Sequence, residues 1–156
     1  VKRLDIPPFS DSEIEDALKG EYPDAEKRES AIALGGGKIG SVIKSYQDGE
    51  IEKLRIFCDD VLFSMRSSKE VAAYASKINK DNLKDFVAIL KSEVAKLLVK
   101  DKAKAKENGY TTGALIAIAD MLTEKERAIY FNANTTMVAD GILLSILGEK
   151  YKWQKL

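Results

Sequence analysis

Apolar residues recur along this chain at intervals of three and four, the spacing that gives a helix one buried face. Ser10-x-x-Glu13 opens the first such stretch with a capping-box spelling, and Ile14, Ala17 and Leu18 follow it. Asp24, after Pro23, is placed to cap a second helix running toward Leu34, with Ala25, Arg28 and Ile32 on one side. A third, short helix spans Lys38 to Gln47, and Asp48-Gly49 ends it. From Glu50 the elements lengthen. Glu50 to Arg66 is amphipathic, and Ser67-x-x-Glu70 spells another capping box ahead of an Ala-rich segment from Ser68 to Ile78. Asn82 to about Lys102 lines up Leu83, Phe86, Val87, Leu90, Val94, Leu97 and Leu98. Lys100 to Gly109 reads as a solvated helix end and loop, and Thr111 to about Asn132 as a helix with a possible break at Thr123-x-x-Glu126. The last helix is predicted from Thr135 to Leu147 with Asn134 as its cap. Only Val1 to Ile6 looks extended.

The pattern therefore predicts an all-α protein in two parts, a three-helix unit and a longer helical bundle divided near Asp48-Gly49. The bundle core is expected to contain Leu54, Cys58, Leu62, Phe86, Leu90, Leu97, Leu115, Ile118, Leu143 and Leu147. The helix from Asn82 carries more apolar residues than a single buried stripe requires: Phe86, Val87, Ile89 and Leu90, then Val94, Leu97, Leu98 and Val99. That surplus serves either the core of the bundle or a subunit interface, for which Phe86, Ile89, Leu90 and Val99 are the candidates.

Composition narrows the chemistry. At 156 residues the chain is long enough to bury about 70% of its unfolded surface. Its 45% apolar and 32% charged residues are ordinary for a globular protein. Twenty-five basic residues balance twenty-five acidic ones, so a strong nucleic-acid footprint is not expected and DNA contact by this fragment is not predicted. No apolar run reaches the ~18 to 20 residues of a membrane span, and no signal-type segment opens the chain. The single cysteine, Cys58, excludes an intrachain disulfide and fits a cytoplasmic location. It falls on the series Ile51, Leu54, Cys58, Val61, Met65 and reads as a buried hydrophobe. There is no histidine, which removes Ser-His catalysis and the usual zinc sites. Asp59 and Asp60 are adjacent and point about 100° apart on a helix, so they make a poor shared ion site. No catalytic residue, metal or cofactor is predicted. Tyr151 and Trp153 alternate with lysines in a tail that either packs on the core or meets a partner.

Ala31 to Ile43 contains the most unusual local sequence, two apolar segments around Gly35-Gly36-Gly37. Gly-Lys here suggests a phosphate loop, but Ile32 stands where the first glycine belongs and Ile39 where Ser or Thr belongs. A tight helix–turn–helix corner is the expectation.

The same corner resembles the lid of clamp-loader subunits, the AAA+ proteins that place sliding clamps on DNA. ATP-hydrolysing members carry Gly-Ser-x-Arg, whose arginine, sensor 2, reaches the nucleotide; in Gly37-Lys38-Ile39-Gly40-Ser41-Val42 that position holds Gly40. The Gly-x-Ile-Gly form is similar to the non-hydrolysing delta-prime type of bacterial DNA polymerase III. Val1 to Phe9 resembles the exit from the ATPase-type domain, and Phe131-Asn-Ala-Asn134, Met137, Val138 and Ile142 to Leu147 resemble the last collar helices. The middle, Lys80 to Asn108, matches only as an amphipathic helix and lacks the usual Arg-Asp pair.

The resemblance implies residues 1–8 as the end of an AAA+-type domain, 9–48 as a three-helix lid, and 49–156 as a helical collar. It implies a non-catalytic scaffold that assembles with gamma/tau and delta subunits. Because the chain begins with Val, it reads as a portion excised from a longer protein. Two alternatives stand beside this: the lid and collar of an ATP-hydrolysing gamma/tau-type subunit, against which Gly40 counts, and an unrelated helical interaction module.

Overall fold

A computed structural model of the chain describes residues 8–152, and these are all-helical, with no strand among them. Val1 to Ile6 and Trp153 lie outside the described residues. The chain divides into two compact units, 1–53 and 54–156. The division falls inside a helix, between Lys53 and Leu54, rather than at Asp48-Gly49.

The first unit contains α1 (Asp11–Leu18), α2 (Ala25–Gly35) and α3 (Ile39–Gln47). Both predicted N-caps form. The Ser10 hydroxyl accepts the Glu13 amide while the Glu13 carboxylate accepts the Ser10 amide, and Asp24 accepts the amide of Lys27. Ile14, Leu18, Ala31, Ile32 and Val42 form the core, with Tyr22 and Tyr46 packed edge to face at its border. Arg28 ties the helices together: its guanidinium donates to Glu15 Oε1 at 2.7 and 3.0 Å and to the carbonyl of Tyr22 at 2.7 Å. A helix near the sequence minimum for stability is held here by tertiary contacts, since none of the three exceeds 11 residues.

Gly49–Phe63 forms α4, whose start is held by Asp48 Oδ1 accepting the Glu50 amide. In the second unit there follow a 3-10 turn at Ser68–Glu70, α5 (Val71–Ala75), α6 (Leu83–Val99), α7 (Lys102–Glu107), α8 (Thr112–Tyr130) and α9 (Thr135–Lys152). Helix α8 packs between α6 and α9, and α5 lies on α9. Of the ten predicted core residues, nine from Cys58 to Leu147 are buried, and Leu54 is half-buried.

Four local expectations are corrected. Ser67 makes no side-chain cap, because the 3-10 turn already binds the Glu70 amide to the Ser67 carbonyl; the Glu70 carboxylate instead accepts the Arg66 amide. Thr123 does not break α8: its hydroxyl donates back to the Ala119 carbonyl, and the buried run Ala114, Leu115, Ile118, Leu122 keeps the helix in register. The segment after Lys100 folds as α7 around buried Ala105. Helix α9 continues past Leu147 to Lys152, where burial of Lys150 extends its packed face.

Asn132 and Gly109 end α8 and α7 in the same way. Each takes a left-handed conformation, φ 59° and 84°, and in each case paired amide-to-carbonyl bonds close the helix end. Ala133 and Asn132 donate to Ala128 and Ile129, and Tyr110 and Gly109 donate to Ala105 and Lys106.

Candidate functional site

At the glycine corner the three glycines have three different roles. Gly35 closes α2 against α3, where a Cβ would collide with the Val42 side chain. Gly36 and Gly37 are left-handed, with φ of 58° and 79°, and a Cβ on Gly37 would meet Pro8 and the Phe9 carbonyl. The Phe9 amide donates to the Gly37 carbonyl at 2.9 Å, so the segment entering α1 is fastened to this corner.

Gly40 differs from all three. It lies exposed in the first turn of α3, and a Cβ there meets nothing within 4 Å. Packing does not require glycine at that position. The start of α3 is therefore open at Gly40, with no side chain of its own there.

The candidate interface residues separate by burial. Phe86, Ile89 and Leu90 are fully buried in the second unit, so the apolar surplus of α6 at these positions is taken up by its own core; Val99 is 73% exposed. A second apolar surface, which the helical periodicity did not single out, lies where α8 gives way to α9. Tyr130, Phe131 and Met137 are each more than 70% exposed, and Leu144 continues the Met137 face two turns along α9. Tyr130 and Phe131 stack edge to face at 5.3 Å. The left-handed Asn132 follows both rings directly and ends α8, and the predicted Asn134 cap, accepting the Met137 amide at 3.1 Å, fixes the start of α9.

Cys58 is buried, with its thiol 3.7 Å from the Phe86 carbonyl, and burial pushes its pKa well up. A buried charge cluster surrounds it. Arg55 donates to Asp59 Oδ2 at 3.2 Å, and Glu93 of α6 stands beside Asp59. Burial first, and the Asp59 charge second, raise the Glu93 carboxyl to about 7, with Lys96 and Arg55 pulling the other way. Adjacent Asp60 is exposed, so the two aspartates do not act together. Among the described residues no group of three or more His, Cys, Asp and Glu side chains is placed to hold a metal ion, and no helix is long and apolar enough to cross a membrane. Tyr151 is half-buried, with the Lys150 ammonium 5.9 Å from its ring centre.

Periodicity located the glycine corner and the α6 core. It could not locate Glu93 or Lys150, because a charged residue in a helix is read as solvent-facing; the Arg55/Asp59 spacing of four was the one available signal. No protein-family model, curated protein or solved structure matches this chain.

Proposed function

We propose that this chain is an assembly portion of a non-catalytic clamp-loader subunit of the delta-prime type, lid followed by collar. The observation that carries the reading is Gly40: an exposed helix position with open space around it, occupied by a residue that has no charge to offer a phosphate. In this reading the first unit links an ATPase-type domain to the second unit, which holds the neighbouring subunits while others hydrolyse ATP. On the same reading Val99 at the end of α6 and, separately, Tyr130, Phe131 and Met137 meet the neighbouring subunits, because apolar side chains exposed outside the core favour burial against a partner.

The test is reconstitution of the chain with gamma/tau and delta C-terminal fragments, followed by size-exclusion chromatography with light scattering. Co-elution is expected, over an interface above ~1,000 Å². Val99→Asp and Met137→Asp are expected to abolish it without changing the circular dichroism of the chain alone. Failure of the unsubstituted chain to co-elute, or co-elution undisturbed by both substitutions, overturns the proposal. Calorimetry with ATP and magnesium is expected to give no binding tighter than millimolar, and saturable tighter binding would transfer the chain to the hydrolysing class.

A further inference from the structure

The second unit contains a cleft of about 250 Å³, lined by Arg66 from the segment after α4, Lys106 to Gly109 at the end of α7, and Lys150 and Tyr151 near the end of α9. We propose that this cleft is a binding site for a phosphate group, held by Arg66, Lys106 and Lys150. The inference goes beyond the assembly reading and does not depend on it.

Three cations converge here from three separate elements. Glu107 lines the same cleft and Glu70 stands near Lys150, with one of its oxygens occupied by the Arg66 amide at 2.8 Å. Three positive charges against two negative ones leave the site cationic. Lys150 is the telling member. Its residue is only 5% exposed, yet its recorded contacts are a carbonyl and two rings: Leu62 O at 3.3 Å, Tyr110 at 5.4 Å and Tyr151 at 5.9 Å. A buried ammonium is ordinarily matched by a carboxylate or another anion, because its desolvation is otherwise uncompensated. Burial and the Arg66 charge hold Lys150 below the usual lysine range, which an anion seated beside it would reverse.

The remaining partners are free to turn inward. The Arg66 guanidinium and the Lys106 ammonium are on exposed residues and have no side-chain partner among the described residues. A guanidinium fork with two ammonium groups suits the several acceptor oxygens of a phosphate better than the two of a carboxylate. The floor is fixed independently of any ligand, since the left-handed Gly109 turn and the bonds from Tyr110 and Lys150 to the Leu62 carbonyl hold α7 and α9 in place. At about 30 Å³ per water the cleft has room for a phosphate and several waters.

The test is titration of the full chain with inorganic phosphate in a chloride buffer, following the amide signals of Gly109 and Tyr110 by NMR. Saturable one-to-one shifts are expected with a dissociation constant of about 1 mM. Arg66→Gln and Lys106→Gln, both at exposed positions, are each expected to weaken binding about tenfold while leaving the far-ultraviolet circular dichroism unchanged. Absent or non-saturating shifts, or an affinity in both variants equal to that of the unsubstituted chain, overturn the proposal. A second arm with a single-stranded oligonucleotide identifies the source of the phosphate. Competition with inorganic phosphate, lost in the same variants, assigns the site to a nucleic-acid backbone. An oligonucleotide that leaves Gly109 unmoved, while phosphate moves it, assigns the site to free phosphate or a phosphomonoester.

Discussion

Glu93 gives the chain a specific dependence of stability on pH. The residue is 7% exposed, and its carboxyl pKa rises from 4.5 to about 7 on folding. A carboxyl whose folded pKa is raised binds its proton more tightly in the folded state. Its contribution is therefore complete below pH 4.5 and is lost as pH climbs toward 7. At about 1.4 kcal/mol per tenfold change in proton affinity, the full interval corresponds to ~3 kcal/mol. Part of that interval is already passed at pH 5, and the cluster relaxes as Glu93 ionises, so the expected loss between pH 5 and pH 8 is about 2 kcal/mol.

Glu93→Gln removes the titration, keeps the shape, and offers an amide donor to the Asp59 carboxylate. The variant is expected to match the parent chain at pH 5 and to exceed it by about 1 to 2 kcal/mol at pH 8. Urea unfolding followed by circular dichroism at pH 5, 6, 7 and 8 measures this directly. A variant destabilised equally at all four values, or one retaining the parent's slope with pH, would refute the assignment of that slope to Glu93.

The glycine corner predicts a graded series in the same unfolding assay. Gly37→Ala is expected to cost ~2 to 4 kcal/mol through a strained φ and the clash with Pro8, Gly36→Ala about 1 kcal/mol through φ alone, and Gly40→Ala is expected to be neutral or to stabilise by up to ~0.5 kcal/mol. Ser10→Ala is expected to cost about 1 kcal/mol and Ser67→Ala less than ~0.5 kcal/mol, since only Ser10 caps its helix. On α6, Phe86→Ala is expected to cost ~3 to 5 kcal/mol and Val99→Asp less than ~0.5 kcal/mol in the isolated chain, as melting of the two variants would show.

Much of this architecture was legible because it rests on local chemistry. Ser10, Asp24 and Asn134 cap where their spelling says, and the spacing of Phe86, Leu90 and Leu97 placed α6 in the core. The Ser67 box failed for a reason invisible in its four letters: the turn tightened to 3-10 and took the amide that the hydroxyl would have held. Thr123 failed because a capping box needs an extended residue at its head, and tertiary burial on both sides of α8 kept Thr123 helical. The apolar surface at Tyr130, Phe131 and Met137 depends on a left-handed asparagine, and the cleft at Lys150 on residues 66, 106 and 150 meeting in space. Neither arises from a period along the chain.

The Leu62 carbonyl accepts both the Tyr110 hydroxyl and the Lys150 ammonium, from partners 48 and 88 residues further along the chain. During synthesis that oxygen leaves the ribosome long before either donor does. The core of the first unit, Ile14, Leu18, Ala31, Ile32 and Val42, is drawn from its own residues and can form once they emerge. The second unit must instead wait for the last turns of α9, with the end of α4 uncapped meanwhile. Termination of translation a few residues before Lys150 would thus leave a folded first unit joined to a second one that cannot close.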